Sequence, residues 1–374
     1  MSKASDLLID EERLQSGQIL TTSSKKPFIS VVIDGFKREE FIIEAFKSVI
    51  NQTLYKDEFE LIVLRAFNNI ELDRELAQNK AKIFDVKDMT LGEAIAFAVE
   101  NSTGEVICFL DDDDMFMPNK LSAVESIFKS KPDLCYYHNN QVFCDENSNP
   151  ISGLQINKKK SIDISFTNKD LKHSLKQLRA NKVNPGSLYF NLSSICVRRK
   201  VFTGKLSLMK KVTSHIDDLI FFLTLSSSGK VLIMNVSDPL TVYRIHNSMT
   251  NVVQSVPNIV MRDFRIIQIS NYVHSSKVIS EIALEPEAHI LAVSILTYDT
   301  ASLYNVKKES KKLVIETVKL LAKGYLKKIE HSFKKRAATY VGFFSFAIFY
   351  AMSKRFRFFW KFSNVFPKVE SFRR

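Results

Sequence analysis

The 374-residue sequence has only four cysteines, and no two of them have the CxxC spacing of a zinc site. This excludes a structural zinc class, and so few thiols favour a reducing compartment over a disulfide framework. Cys108 lies inside an apolar run, as a small core residue would. Cys135 and Cys144 would lie close together if a hairpin joined them, so a disulfide between these two remains an alternative.

Long hydrophobic runs are also missing. No stretch reaches the roughly 18 apolar residues that a membrane-spanning helix needs, and the longest candidate, Tyr340 to Met352, falls short. The first 26 residues contain no continuous apolar segment, unlike a secretory signal. The sequence therefore predicts neither a spanning helix nor an N-terminal export signal.

Acidic residues are scarce near the C-terminus. From Leu303 to the end there are 18 Lys+Arg and 4 Asp+Glu, a net charge of +14, whereas the preceding residues hold 35 basic and 37 acidic side chains, a net of −2. Apolar positions recur at helical spacing in this tail, and aromatic residues alternate with Lys354, Arg355, Arg357 and Lys361. Basic amphipathic segments of this kind bind anionic membrane surfaces. The alternative is a helical bundle packed on the rest of the protein.

Apolar runs of strand length alternate with helical patterns in the first third of the chain. Four such runs predict strands: Phe28–Ile33, Phe59–Leu64, the shorter Lys82–Val86, and Glu105–Leu110. The first is a continuous apolar, β-branched run, which is typical of a strand covered on both faces. Helical spacing of apolar residues separates the four runs, and another helix begins after Pro118. This alternation indicates βαβ units and a mostly parallel sheet, in which ligands bind at the carboxyl ends of the strands.

Beyond Pro150 the pattern loosens. Residues 156–190 are polar and are predicted to form a long loop. A short strand at 193–199 and a helix that ends at Gly229 follow, and then two further strands, 231–236 and 240–246. From about residue 258 to the end, the chain is predicted to be helical.

Four consecutive aspartates, Asp111 to Asp114, follow the fourth predicted strand directly. Adjacent like charges are costly to bury without a counter-ion, and carboxylate oxygens are the ligands that suit Mg²⁺ or Mn²⁺. At the carboxyl end of a strand, such an ion would bridge a diphosphate and stabilise its departure. The alternative is a solvated acidic turn, against which the buried strand before the acids and the helix after them both argue.

Several segments together resemble glycosyltransferase family 2. ISVVIDGFKREEFIIEAFKSVINQT, then FELIVL, then LGEAIAFAVENSTGEVICFLDDDDMFMPNKL are similar to the N-terminal half of that family's domain, over roughly residues 28–130. A second block, His215 to Thr250, resembles the later segment of the family, where an acidic pair opens a helix, PL follows and YRxH closes the domain. Each motif alone is a weak indicator of the family, but the motifs in this order are specific, and together they span about 220 residues.

This resemblance implies an α/β chain with the GT-A fold, a Rossmann-like nucleotide-diphospho-sugar transferase domain with a mixed sheet flanked by helices. It places the domain at residues 28–254, after a polar lead-in at 1–27 and before a basic C-terminal helical extension at 255–374. The implied activity is an inverting transfer, of the hexosyltransferase type, from a nucleotide-sugar donor to a glycan or lipid-linked acceptor, assisted by Mn²⁺ or Mg²⁺. The expected location is cytoplasmic, peripheral at the inner face of the cell membrane.

The resemblance also assigns roles by position. Asp113 and Asp111 match the DxD acids, with Asp113 the principal metal ligand and Asp111 shared between metal and donor. Asp112 is expected to face the donor. Asp218 matches the general base, and Asp217 would orient it or touch the acceptor. The alternative for this pair is two acids favoured by a helix N-terminus.

Further residues have two possible roles each. His246 matches a histidine that helps to hold the metal or the diphosphate in some members, although a lone histidine is as often structural. Arg244 would face the diphosphate or pair with a surface acid. Asp114 is expected to cap the helix that follows it.

Two departures from the family pattern concern the nucleotide. Asp34 and Gly35 stand where the family has Pro-Thr, and Arg65 and Ala66 stand where the second strand ends in an Asp pair. An arginine cannot accept a hydrogen bond from uracil N3–H, so uridine specificity is not implied. Arg65 itself, Asp34 and Asn68 are assigned to the donor-binding side, with Asp85 as a further candidate.

Two other classes of function compete with an active transferase. The missing Asp pair favours a catalytically inactive nucleotide- or sugar-binding module of the same fold. The basic tail alone would suit a nucleic-acid-binding protein, but such a protein needs a folded reader or a stacking platform. The apolar block within the tail argues against it, and no nucleic-acid partner is expected.

Overall fold

The structure is a computed structural model that describes residues 26–35, 38–151, 163–181, 185–213 and 216–246, with scattered positions between 274 and 288. Nearly all of the lead-in and most of the basic C-terminal region, including its predicted helices and the Lys- and Phe-rich tail, lie outside the described residues. Within the described ranges, no helix is long and apolar enough to cross a membrane.

Nine strands in the described part of the chain form one mixed sheet. They are β1 (Ile29–Gly35), β2 (Phe59–Arg65), β3 (Lys82–Asp85), β4 (Val106–Asp111), β5 (Met115–Phe116), β6 (Leu134–Cys144), β7 (Ile164–Thr167), β8 (Ile195–Arg198) and β9 (Leu232–Arg244). Their order is β3-β2-β1-β4-β8-β6-β9-β5, and β7 also pairs with β9. β1 to β4 are mutually parallel, as the βαβ pattern predicts, while β8 is antiparallel to both β4 and β6.

Seven α-helices flank this sheet in the described ranges. They are α1 (Glu39–Ile50), α2 (Ile70–Gln78), α3 (Leu91–Asn101), α4 (Lys120–Ser130), α5 (Leu171–Ala180), α6 (Leu206–Met209) and α7 (Ile216–Leu225). α3 begins with a capping box, in which Thr90 and Glu93 satisfy each other's backbone N–H groups. In α1 the buried side chains are Ile42, Ala45, Phe46 and Val49, which is the predicted helical spacing.

Two hydrophobic clusters cover the two faces of the sheet because successive side chains of a strand point to opposite faces. Val31 and Ile33 pack with α1, α2 and α4 on one face. Val32 packs with α3 and α7 on the other. β1 and β4 are therefore buried on both sides along nearly their whole length, and both end on polar positions, with Asp34 near the end of β1 and Asp111 at the end of β4.

The carboxyl ends of three strands meet at one edge. Gly35 at the end of β1 is in register with Arg65 at the end of β2. Asp34 is in register with Asp111, the last residue of β4. The prediction that the aspartates lie at the ligand-binding edge of a parallel sheet is therefore confirmed for Asp111.

The predicted loop at 156–190 is wrong for residues 163–181, which form β7 and α5. Leu171 and Leu178 are buried and Leu175 packs on the same core, a spacing of four and three residues that defines one helical face. Two lysines, Lys172 and Lys176, and the other polar residues of α5 concealed this short apolar stripe.

One smaller expectation is also wrong, and the alternative of a Cys135–Cys144 pairing does not hold. The two strands predicted at 231–236 and 240–246 are one strand, β9, whose pairing with β6 shifts register near Pro239. Cys135 and Cys144 are not joined by a hairpin but lie at opposite ends of β6, about 30 Å apart at the usual rise of a strand. All four cysteines are buried and free.

Candidate active site

The four aspartates form a tight turn between β4 and β5. Asp111 ends β4, and Asp112, Asp113 and Asp114 are buried, each less than a tenth exposed. The Asp114 N–H donates to the Asp111 carbonyl oxygen at 3.2 Å, and the Asp111 N–H donates to Ser193 Oγ at 3.0 Å. The alternative of a solvated acidic turn therefore does not describe this segment.

Three of these carboxylates converge on one point. One oxygen each from Asp111, Asp113 and Asp114 lies within 4.8 Å of the others. Octahedral ligands at about 2.1 Å from Mg²⁺ are roughly 3–4 Å apart, so a small contraction would place all three oxygens on one ion. The residues present therefore fit a divalent metal, with Asp114 in the third place that the sequence assigned to His246.

The expected helix-capping role of Asp114 is wrong. Helix α4 begins at Lys120, its N-cap residue is Asn119, and no side chain caps it. Asp114 instead accepts hydrogen bonds from Asn191 Nδ2 at 2.7 Å and from the Arg244 backbone N–H at 3.0 Å. A neutral amide and one backbone N–H hold it in the acid cluster.

Asp113 and Asp112 share one arginine. Arg38 Nη1 lies 2.6 Å from Asp113 Oδ2, and Arg38 Nε donates to Asp112 Oδ1 at 2.7 Å. His246 Nε2 lies 2.9 Å from the same Oδ2 of Asp113. The His246 ring packs on Phe41, with 4.9 Å between ring centroids. His246 thus contacts the principal predicted metal ligand.

Burial and mutual repulsion raise the pKa values of Asp111, Asp112 and Asp114. Desolvation raises the pKa of Asp111 well above its usual range, and the charges of Asp114, Asp113 and Asp34 add to it. Burial also raises the pKa of Asp114 to about 7 and that of Asp112 to about 6, in the latter case against the opposing charge of Arg38. Like charges held this close favour either a shared proton or a bound cation.

The predicted acidic pair lies at the start of α7, as expected. Asp218 is 6% exposed, whereas Asp217 is half-buried. Burial raises the pKa of Asp217 to about 6, against hydrogen bonds from the backbone N–H groups of Asp218, Asp217 and Asn191. Such a pKa suits a group that exchanges protons near neutrality.

Asn191 connects the two acidic groups. Its side chain donates to Asp114 and its backbone N–H faces the Asp217 carboxylate. Its φ of +74° is rare for a residue other than glycine. A backbone conformation of this kind at a site of converging carboxylates is a mark of functional constraint.

The donor-side residues lie at the adjacent strand ends. Asp34 is 8% exposed, its Oδ1 has no hydrogen-bond partner, and burial raises its pKa to about 7, with the Asp112 charge adding to the shift. Arg65 donates to the Phe67 carbonyl oxygen, to Asn68 Oδ1 at 3.0 Å and to Asp73 Oδ2 at 2.8 Å. Arg65 and Asn68 are therefore joined, whereas Asp85 is exposed at the end of β3 and bonds the Lys87 N–H.

Arg244 is built into the protein. Its side chain is fully buried, and it donates to the Asp113 carbonyl oxygen, to Ser148 Oγ and to Glu44 Oε2, at 2.9 Å in each case. This geometry corresponds to the second role considered for Arg244, an ion pair with an acidic side chain, and it fixes the turn that carries Asp113.

Two residues of the site, Arg38 and Asn191, were not predicted from the sequence. Arg38 stands in the REE segment, where one arginine among charged helix-start residues gives no signal of its own. Asn191 lies between the predicted loop at 156–190 and the predicted strand at 193–199, where a single asparagine gives no signal of its own. Neither residue could be connected to the aspartates without knowing which strands are neighbours.

The fold is that of GT-A glycosyltransferases. Structures of S. aureus TarS residues 1–349 align over most of this chain, one in complex with UDP at a TM-score of 0.54 and 15% identity, covering 80% of this chain and 82% of that one. Another, in complex with UDP-GlcNAc, aligns at a TM-score of 0.52 and 14% identity, covering 79% and 80%. At such identities the likeness concerns the fold.

Sequence comparison finds one family to which part of the chain is similar. Residues 30–202 match the family model described as glycosyl transferase family 2. An uncharacterized glycosyltransferase of Methanocaldococcus jannaschii is 31% identical over 131 residues, which are 33% of this chain and 45% of that protein. One of Rickettsia bellii is 27% identical over 122 residues, 32% of this chain and 17% of that protein. Residues 30–202 are therefore similar to glycosyltransferase family 2, and the matched segments span less than half the length of these relatives.

Proposed function

We propose that this protein is an inverting glycosyltransferase, which moves a sugar from a nucleotide-sugar donor to a hydroxyl group of a glycan or lipid-linked acceptor. The observation that supports it most is the convergence of two acidic groups on Asn191: the Asp111–Asp114 turn on one side and the Asp217–Asp218 pair on the other. A direct displacement needs both a group that neutralises the leaving diphosphate and a base that activates the attacking hydroxyl.

The acid turn provides the donor side. Asp111, Asp113 and Asp114 would hold Mg²⁺ or Mn²⁺, which when bound neutralises the charge that develops on the departing diphosphate. Asp112 holds Arg38 at the entrance to α1, so that a helix N-terminus and a guanidinium both face the acid turn. Asp113 is the proposed principal ligand because it matches an acid of the DxD motif in the family that the sequence resembles.

The acidic pair provides the acceptor side. Asp218 takes the proton of the acceptor hydroxyl as its oxygen attacks the anomeric carbon, and the bond from that carbon to the diphosphate oxygen breaks as the new bond forms. The nucleoside diphosphate leaves with the bonding electron pair, so the configuration at the anomeric carbon inverts. Asp217, held by three backbone N–H groups, orients Asp218 or contacts the acceptor.

The nucleotide is bound next to β1 and β2 in this proposal. Asp34 has a buried oxygen without a partner and would accept an N–H from the donor, while Arg65 and Asn68 form one side of the same region. The TarS structures in complex with UDP and UDP-GlcNAc support a nucleotide-sugar as the donor class. Arg65 stands where the family has an aspartate that accepts a hydrogen bond from uracil, so the proposal does not restrict the nucleotide base of the donor to uracil.

Metal-dependent breakdown of a panel of nucleotide-sugars tests the proposal. We expect at least one UDP-, GDP- or dTDP-sugar to be cleaved with Mn²⁺. Asp113→Ala or Asp218→Ala should each reduce the rate by roughly 10²–10³-fold, since each removes a group that acts on developing charge. Asp57→Ala, which removes an exposed acid outside the site, is the matched control.

A second candidate is an inactive nucleotide- or sugar-binding module, favoured by the replacement of the expected Asp pair by Arg65 and Ala66. It predicts a thermal shift with nucleotide and Mn²⁺ but no cleavage of any donor. Full turnover in both the Asp113→Ala and the Asp218→Ala proteins would instead show that the reaction takes place elsewhere.

A further inference from the structure

Arg38 is placed where a cation would bind. Its guanidinium contacts Asp112 through Nε and Asp113 through Nη1, and its backbone N–H donates to Asp112 Oδ2 at 3.2 Å. Its side chain is 28% exposed, whereas the Asp112 side chain is fully buried. The arginine therefore lies at the mouth of the acid cluster rather than beneath it.

Arg38 and a metal ion need the same oxygen atom. Asp113 Oδ2 already accepts from both Arg38 Nη1 and His246 Nε2. A carboxylate oxygen with two N–H donors has little room for a divalent ion at about 2.1 Å. Binding of the metal through Asp113 therefore requires the Arg38–Asp113 contact to break or lengthen.

The contact to Asp112 does not carry the same conflict. Asp112 is not part of the group of three oxygens that converge, and two donors from Arg38 hold it. Arg38 can therefore keep Asp112 while releasing Asp113. The freed Nη1 would then point from the N-terminus of α1 toward the site, where an arginine and a helix N-terminus suit a phosphate group.

We propose that Arg38 exchanges partners: its guanidinium neutralises Asp112 and Asp113 in the free protein, and it turns from Asp113 to the donor diphosphate when a divalent cation takes Asp113. This inference rests on the proposed diphosphate donor. In the absence of donor, Arg38 lowers the affinity of the site for the metal. In the presence of donor, Arg38 binds the diphosphate.

Mn²⁺ and pyrophosphate binding to the full chain test this exchange. Free Mn²⁺ is followed by its electron paramagnetic resonance signal, and binding of the Mn²⁺–pyrophosphate complex is measured by calorimetry with Mn²⁺ in excess. Arg38→Met removes the charge and keeps much of the side-chain bulk. Arg38→Lys keeps the charge, but its ammonium group lacks the planar set of N–H donors with which a guanidinium contacts Asp112 and a phosphate at the same time. Lys47→Met, which removes an exposed charge at the end of α1, is the matched control.

The two measurements should change in opposite directions for Arg38→Met. We expect Mn²⁺ alone to bind about tenfold or more tightly than to the wild type, because a competing positive charge is gone. The Mn²⁺–pyrophosphate complex should bind about tenfold or more weakly, because a guanidinium–phosphate contact is gone. Arg38→Lys should fall between, and Lys47→Met should change neither affinity.

An unchanged or weaker affinity of Arg38→Met for Mn²⁺ alone would overturn the exchange, and so would loss of both affinities together, which a merely structural role predicts. These binding outcomes test the role of Arg38 independently of whether the protein transfers a sugar. Opposite shifts without cleavage of any nucleotide-sugar would support the role of Arg38 and contradict glycosyl transfer.

Discussion

Asn191 holds a carboxylate of the acid turn with its side chain and faces Asp217 with its backbone, and it does so at a φ of +74°. Two effects are therefore combined in one residue. The amide fixes Asp114, while the backbone conformation is one that glycine adopts freely and other L-residues adopt at a cost of about 1–2 kcal/mol. Comparing glycine with alanine at this position separates them.

We expect Asn191→Gly to fold with nearly wild-type stability and Asn191→Ala to be about 1–2 kcal/mol less stable than the glycine protein. Both should bind Mn²⁺ more weakly than the wild type, because both lack the donor to Asp114 Oδ2. Urea denaturation and Mn²⁺ titration measure the two effects. Wild-type Mn²⁺ affinity in the glycine variant would show that the amide does not position Asp114.

Residues of the site could be predicted from the sequence only where they form a local pattern. Asp111 to Asp114 are adjacent and follow an apolar strand, and Asp217 and Asp218 begin a helix, so their types and spacing point to chemistry. Arg38 and Asn191 are single polar residues whose role depends on contacts across 74 and 77 positions. Which of four acids converge could not be predicted either, because it depends on the turn geometry that Arg244 and Asn191 impose on Asp114.

The start of α3 is packed directly against the segment around α6. The Gly92 N–H donates to the Val212 carbonyl oxygen at 3.0 Å. A methyl group at Gly92 would overlap the carbonyl oxygens of Met209 and Val212. Backbone atoms of a packed turn cannot move aside as a flexible side chain can, so the whole element must shift.

Gly92→Ala should therefore destabilise the protein by about 1–3 kcal/mol or more, as overpacking of a core does. Gly229→Ala is a matched comparison, because its φ is +76° but nothing lies within 4 Å of the added methyl. It should cost only about 1 kcal/mol of backbone strain. Equal stabilities of the two variants, measured by urea denaturation, would show that α3 is not held by this contact.

The join between β6 and β9 contains a buried histidine. His138 is 3% exposed and lies 2.7 Å from Asn235 Oδ1 and 2.8 Å from the Phe190 carbonyl oxygen. Burial lowers its pKa to about 4, against these hydrogen bonds. The neutral form of His138 is thus favoured in the folded state. Its contribution to the free energy of unfolding is fully present above about pH 6.5, the pKa of a histidine in the unfolded chain.

We expect the free energy of unfolding of the wild type to fall relative to that of His138→Gln as the pH decreases from about 6.5 to about 4, by up to about 3 kcal/mol. The comparison with the variant is needed because the raised pKa values of the site aspartates act in the opposite direction over the same range. Denaturation curves at several pH values measure it. Parallel pH profiles for the two proteins would contradict a buried neutral His138.

At the level of elements, continuous apolar strands and amphipathic helices of the first 130 residues were predictable because both faces of the sheet are covered and the helical stripes are wide. β7 and α5 were not, since a four-residue strand and a stripe of three leucines are shorter than the patterns that distinguish them from polar loops. The single long β9 was hidden by Pro239, which falls where its pairing with β6 changes register. Tertiary contacts, rather than local sequence preference, determine the structure of β7, α5 and β9.

At the scale of the whole molecule, charge separates the chain into two parts. The residues before Leu303 have a net charge of −2 and include the domain that carries the site, whereas the tail has +14. The tail lies outside the described residues, so its proposed binding to an anionic membrane rests on its pattern of basic and aromatic side chains. A surface of that kind would bring the domain to a lipid-linked acceptor.

Replacement of Lys354, Arg355, Arg357 and Lys361 by glutamine in the full chain tests this proposal. At about 1 kcal/mol per basic side chain near an anionic surface, binding to phosphatidylglycerol vesicles should weaken by on the order of a hundredfold or more. Glutamine at Lys47, Lys56, Lys87 and Lys131, four exposed lysines of the domain, removes the same charge and should leave vesicle binding nearly unchanged. Binding should also fall as salt rises, because screening shortens the reach of the surface potential. Vesicle flotation measures both effects, and equal flotation of the two quadruple variants would mean that the tail does not carry the interaction.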